Sequence, residues 1–260
     1  MLKKAIQENR IVAVYQPVIN YKTNGIEYTE ASARIVDTNG NLVDADMAKL
    51  IWDAEIHGYI GELNKSVARN VAGFILDTGA FGVGRIGLRV SPRQFEYDEC
   101  WADTLICRLK NLGIAFNKVA YEITERWFIR DLDNTKYNIE KLQSLGILVI
   151  MNGYGAGNTS LELVRSLPFN AIRLDRKLTR EVFNHGLDEV FYRQSLHNLS
   201  YAGVTIIADG VDSYEDYRDL KTIGVECYQG SYISEPLLEY DYTAWVKERR
   251  EKPWSIVMET

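Results

Sequence analysis

Seven polar side chains close seven apolar runs along this chain of 260 residues: Glu30, Arg89, Glu122, Asn152, Arg173, Asp209 and Gln229. That is more polarity at the ends of apolar runs than packing requires. If the fold binds a metal, carboxylate oxygens must hold it, as a hard cation demands. Other common chemistries find no such support. His57, His185 and His197 are isolated from one another, so they assemble neither a zinc cluster nor a Ser-His-Asp triad. Cys100, Cys107 and Cys227 form no CxxC pair, and a reducing cytoplasm is the setting they suggest.

The runs that carry these residues read as strands alternating with helices. Ile11–Ile19 and Ile26–Val36, joined by the turn Lys22-Thr23-Asn24-Gly25, predict an antiparallel hairpin. Further strands are expected at Gly84–Val90, Val119–Ile123, Leu148–Met151, Ala171–Leu174, Val204–Ala208 and Val225–Tyr228. Helical periodicity falls between them, at Asp46–His57, Glu62–Leu76, Trp101–Asn111, Asn134–Ser144, Leu161–Leu167 and Glu189–Ala202. This alternation implies parallel pairing. It fits an α/β fold of the (β/α)8 TIM-like barrel type, modified by its antiparallel first strand, better than an open Rossmann sheet, whose GxGxxG turn is missing. In such barrels chemistry sits at the carboxyl ends of the strands, where the seven residues lie.

Residues 1–10 are read as a lead-in helix that could continue an upstream domain, 11–250 as one barrel domain and 251–260 as a C-terminal tail. Hydrophobic residues make up 46% and charged residues 25%, the proportions of an ordinary globular chain. A formal net charge of -6 argues against binding a nucleic acid polymer or an anionic membrane broadly, so any phosphate site must be local. No apolar run is long enough to span a bilayer, and a cytoplasmic location is expected.

The ends of the runs also resemble, in order, the motifs of the EAL-domain family of bacterial cyclic di-GMP phosphodiesterases. Tyr15-Gln16-Pro17 stands for its YQP, Glu30-Ala31-Ser32-Ala33-Arg34 for its EALLR-like signature and Val90-Ser91-Pro92 for its VNxSP region. Glu122-Ile123-Thr124-Glu125 matches ExTE, and Asn152-Gly153-Tyr154-Gly155-Ala156-Gly157 replaces DDFGTG. Leu167-Pro168 and Arg173-Leu174-Asp175, the latter for KID, come next, then Asp209-Gly210-Val211-Asp212 for EGVE and Gln229-Gly230 for the last QG. The resemblance runs from Tyr15 to Leu237. It implies an EAL barrel in which two Mg²⁺ or Mn²⁺ ions activate water against one phosphodiester. The family's ligands are the Glu of EAL, an Asn, the first Glu of ExTE, both Asp of DDFG and the first Glu of EGVE, with the Lys of KID near the water.

Set against that pattern the metal site is damaged. Glu30 and Glu122 are kept, but Arg89 stands at the Asn ligand, Asn152 and Gly153 at the two Asp ligands, and Asp209 at the Glu ligand. At roughly 4 Å and an effective dielectric near 20, each like-charge contact between Arg89 and a cation costs about 4 kcal/mol. Arg173 replaces the catalytic Lys, and a guanidinium cannot act as a base. The substitutions are expected to compensate. Arg89 places its guanidinium between Glu30 and Glu122, while Arg173 pairs with Asp209, Asp212 or Asp175.

Arg173, Asp209, Asp212 and Gln229 are then degenerate catalytic positions, and the metal site is vacant unless residual activity calls for Mg²⁺ or Mn²⁺. Gln16, Arg34, Arg173, Gln229 and Pro236 form the nucleotide-binding set that the resemblance implies, although Ser32 alters the guanine-facing wall. Glu125 would steady the glycine-rich loop 153–160. The resulting expectation is a catalytically degenerate regulatory module, acting as a cyclic di-GMP receptor or a protein-interaction domain. A weak metal-dependent phosphodiesterase yielding pGpG is the alternative. Partners would be cyclic di-GMP, a protein or upstream signalling domain, and a second copy in a homodimer.

Overall fold

The computed structural model describes residues 1–79, 83–91, 100–124, 129, 131–155, 161–181 and 187–251. Helix α1 (Leu2–Gln7) leads into the hairpin β1 (Ile11–Asn20) and β2 (Gly25–Ile35), whose turn is held by Asn20 Oδ1 accepting the Lys22 amide at 2.9 Å. Asn24 takes the left-handed conformation there, at φ 53°. Helices α2 (Met47–Ile56) and α3 (Ile60–Thr78) follow, then β3 (Arg85–Val90), α4 (Trp101–Asn111) and β4 (Val119–Thr124). Next come α5 (Leu132–Ser144), β5 (Leu148–Tyr154), α6 (Leu161–Ser166), β6 (Ala171–Leu174), α7 (Arg176–Glu181) and α8 (Leu187–Tyr201). The chain continues through β7 (Thr205–Asp209), α9 (Tyr214–Thr222), β8 (Cys227–Gln229), the short β9 (Leu237–Leu238) and α10 (Glu239–Glu251).

From β2 to β8 each strand runs parallel to the next, and β1 closes the ring by pairing antiparallel with both β2 and β8. The fold is therefore the expected TIM-like barrel with an antiparallel first strand. Side-chain caps fix the helix starts: Asp46 accepts from the Lys49 amide at 3.1 Å and Asp131 from the Asn134 amide at 2.9 Å, while Ser213 and Asp216 form a capping box. Where the expected strands begin too early, the cause is local. The Val204 amide bonds Leu199 O and the Val225 amide bonds Leu220 O, so both valines finish the preceding helix. The periodic reading does not single out α7, which is too short, or α10, which buries only Tyr242 and Val246 in a polar sequence. Among the described residues, no helix is long and apolar enough to cross a membrane.

Two periods organise what lies inside the barrel. A small apolar layer of Val18, Tyr28, Ala120, Ile150, Ala171, Ile207 and Cys227 fills it, each from a different strand. Two residues further toward the mouth, on the same inward face of each strand, stand Gln16, Glu30, Glu122, Asn152, Arg173, Asp209 and Gln229. In β3 the corresponding pair is Gly87 and Arg89. Gly87 carries no side chain because the Tyr28 ring fills the space: a Cβ there would lie 2.8 Å from the ring. The apolar layer is thus the floor on which a polar ring is built.

Candidate functional site: a ring of acids closed by two guanidinium groups

Arg173 is the centre of the polar ring and is only 1% exposed. Its Nη2 donates to Glu30 Oε2 at 2.9 Å and to Gln229 Oε1, and lies 3.2 Å from Asp209 Oδ2. Its Nη1 donates to the Tyr28 hydroxyl at 3.0 Å and lies 3.6 Å from Glu122 Oε1. A buried charge persists only when several acceptors surround it, and β6 delivers this one into the middle of them. Arg89 approaches from the rim. Its Nη2 is 2.6 Å from Glu30 Oε1 and its Nε 3.7 Å from Glu122 Oε2, yet its side chain remains 42% exposed. Glu30 therefore gives one carboxylate oxygen to each arginine. Strand register makes this possible, because Arg89 pairs with Glu122 across β3–β4 and Asn152 with Arg173 across β5–β6.

Asn152 turns its amide to Glu122 Oε2, donating at 2.5 Å. Gly153 follows at φ 96°, where the pairing of β5 with β6 shifts register. That conformation suits glycine and strains an aspartate.

The two buried glutamates are driven apart. Burial raises both, but at Glu30 the guanidinium groups of Arg173 and Arg89 outweigh it and hold the carboxyl below its ordinary range. At Glu122 burial wins, Arg173 offsets it only in part, and the neighbouring Glu30 charge adds to the upward push. Glu122 Oε1 stands 3.6 Å from Arg173 Nη1, beyond hydrogen-bond reach. Burial likewise pushes the Tyr28 hydroxyl well above its ordinary range, which leaves it a neutral acceptor for Arg173.

A cavity of about 1350 Å³ opens above the ring, lined in part by Gln16, Arg34, Arg89, Arg173 and Pro236. Arg34 is half-buried and curls along its own strand, donating to Ala33 O at 2.9 Å and Ser32 Oγ at 3.4 Å. Gln16 spends its amide on Ser234 O at 2.8 Å. Gln229 is fully buried, accepting from Arg173 and donating to Gln16 O at 3.3 Å, so it braces the β8–β1 seam. Of the three acids weighed for Arg173, Asp209 meets it. Asp212 instead pairs with Arg176 and Arg180, and Asp175 Oδ1 accepts the Lys177 amide at 2.9 Å. Glu125 and residues 156–160 of the glycine-rich loop lie outside the described residues.

Tyr28 was not singled out from the sequence. It stands two residues before Glu30 on the same face of β2, and that spacing is the signal that could have found it. The oxygens of Glu30, Glu122 and Asp209 converge on the Arg173 guanidinium. Among the described residues, no group of three or more His, Cys, Asp or Glu side chains is arranged to hold a metal ion.

The family model described as the EAL domain matches residues 1–236. Among curated relatives, the probable cyclic di-GMP phosphodiesterase PdeI of Escherichia coli K12 is 25% identical over 250 residues, which are 95% of this chain and 31% of that one. The chain spans about a third of the length of the curated relatives it matches. Among solved structures, the PaMucR phosphodiesterase in complex with c-di-GMP superposes with a TM-score of 0.80 at 21% identity, covering 93% of this chain and 97% of that one. The FimX EAL domain from Pseudomonas aeruginosa bound to c-di-GMP gives a TM-score of 0.76 at 18% identity, covering 91% and 94%. At these identities the structural likeness speaks for the fold, and the family match over most of the chain goes further: this chain belongs to the EAL domain family.

Proposed function

We propose that the chain is a regulatory EAL domain that binds cyclic di-GMP at the barrel mouth without hydrolysing it. The observation that carries this reading is the double engagement of Glu30, with Arg89 at 2.6 Å and Arg173 at 2.9 Å on its two oxygens. Divalent ions do not fit such a donor set. Any cation entering would have to displace guanidinium groups from Glu30, and would meet Asn152 and Gly153 where two acids would be needed. Arg173 stays charged among its acids and so cannot take a proton from water as a lysine at its place could.

Binding remains chemically open. Arg89 and Arg34 both face the cavity, and Arg89 is anchored at only one edge of its guanidinium, so a phosphodiester oxygen can be met by a charge-assisted pair in place of a metal bond. Glu30 and Glu122 serve in this reading as orienting groups for the arginines. The solved relatives named above hold c-di-GMP, which makes that dinucleotide the ligand to test. Calorimetric titration in EDTA should give micromolar binding. Absence of heat would replace the receptor with a protein-interaction module, and turnover to pGpG with Mg²⁺ or Mn²⁺, abolished by Glu30→Ala, would overturn the non-hydrolytic reading.

A further inference from the structure

A second cationic position lies on the rim of the same cavity. Arg176, the first residue of α7, places Nη2 2.5 Å from Asp212 Oδ2, and Arg180 reaches the same oxygen at 2.8 Å. The other oxygen of Asp212 accepts the Ser231 hydroxyl at 2.9 Å and the Ser231 amide at 3.3 Å. One carboxylate is thus shared by two guanidinium groups, and Arg180 alone would neutralise it. Arg176 is left with a charge this acid does not balance and with more than half of its side chain exposed, at 55%. Asp209, the next acid along, is already engaged by Arg173 at 3.2 Å, and Glu235 on the same rim acts on Arg176 more weakly than either aspartate.

The position is built rather than incidental. The Arg176 side chain packs against Gly210, whose φ is 78° and whose missing Cβ would fall 2.4 Å from Arg176 Cγ and 2.9 Å from its Nε. The side chain is therefore held in one place by a gap in the β7–α9 turn, by Asp212 and, through Asp212, by Ser231. Arg176, Asp212 and Ser231 line the cavity that reaches down to Arg89 and Arg173. A fork with one edge fixed on a carboxylate and the other edge free is the arrangement that recognises a phosphate oxygen pair.

We infer that Arg176 is the anchor for a second phosphate, so that the cavity takes a dianionic cyclic dinucleotide with one phosphodiester near Arg89 and the other on the rim at Arg176. This deepens the receptor reading above and rests on it. Asp212 and Arg180 act as positioning residues for the fork.

The test is calorimetric titration of the whole chain with cyclic di-GMP in EDTA, comparing the unmodified protein with Arg176→Gln and Arg176→Lys. Loss of affinity of at least fivefold in Arg176→Gln, with Arg176→Lys between the two, is expected, because lysine keeps the charge and loses the fork. A smaller loss in Arg176→Gln overturns the rim anchor and leaves the receptor reading standing, whereas no heat from the unmodified chain overturns both. The arginine Nε–Hε resonances of the unmodified chain give a reading independent of any variant. The Arg176 signal must shift on saturation with cyclic di-GMP, and an unmoved signal overturns the assignment.

Discussion

Replacing Arg173 by methionine keeps much of the side-chain length and removes the charge on which the ring converges. Glu30 is 4% exposed and Glu122 is fully buried, so neither can recover its lost partner from water. Removing one member of a buried ion network costs about 3–5 kcal/mol, here because two buried acids and Asp209 are left with the half-exposed Arg89 as their remaining cation. For a chain of this size that is a fall in Tm of roughly 6–20 °C. The loss must also depend on pH. In the native protein burial pushes Glu30 up, but Arg173 and Arg89 hold it below its ordinary value, so its contribution is complete above the unfolded pKa and is lost as pH falls through the folded one. Without Arg173 burial prevails and the folded pKa rises. The variant then binds a proton more readily than the unfolded chain, and the stability gap should narrow as pH drops from 7 toward about 4.5. Urea unfolding at pH 7 and pH 5 measures both quantities. A deficit under about 1 kcal/mol at pH 7, or the same deficit at both values, would refute the view that Arg173 is a buried counter-ion.

The two buried glutamates should respond differently to neutralisation. Glu30→Gln loses charge-assisted bonds to two arginines, a cost of about 1.5–3 kcal/mol, while Glu122→Gln should stay within about 1 kcal/mol because burial already drives that carboxyl toward its neutral form; urea midpoints distinguish them. At Asp212 burial opposes ionisation, but hydrogen bonds from Arg176, Ser231 and Arg180 bring the carboxyl down to about 2. Its contribution is therefore complete above about pH 4 and vanishes toward pH 2. Since its arginine partners are largely exposed, the contribution is at most about 1 kcal/mol, and Asp212→Asn and the unmodified chain should converge in acid unfolding followed by circular dichroism. Finally, the quadruple variant Arg89→Asn, Asn152→Asp, Gly153→Asp and Arg173→Lys should show no Mg²⁺-dependent turnover of cyclic di-GMP, because φ 96° at position 153 does not admit an aspartate without backbone rearrangement. Recovery of turnover would refute this backbone argument.

Much of the barrel is legible in the amino-acid sequence alone. Runs such as Ile11–Ile19 and Val119–Ile123 carry the apolar and β-branched signature of buried strands, and parallel order follows from the helices between them. Most of the polar ring is legible for the same reason, since Arg89, Glu122, Asn152, Arg173, Asp209 and Gln229 each lie at or near the end of such a run, whereas Glu30 sits mid-way along β2 and is marked by its motif instead. The six residues of α7 carry too little period to register, and an apolar residue that ends a helix, such as Val204 or Val225, looks in sequence the same as one that starts a strand.

What the linear order could not settle is which cation meets which acid. Local pattern places Arg173 at the end of β6 and Glu30 near the middle of β2, but the 2.9 Å between them spans 143 positions of chain and exists only because the sheet closes on itself. The same closure brings Tyr28 under Arg173, makes Gln229 a brace for the seam and sends Asp212 to Arg176 and Arg180. Periodicity is a property of neighbours in sequence and can be read from them. Charge pairing inside a barrel depends on register and rotamer across strands far apart in the chain, and only the folded molecule sets those.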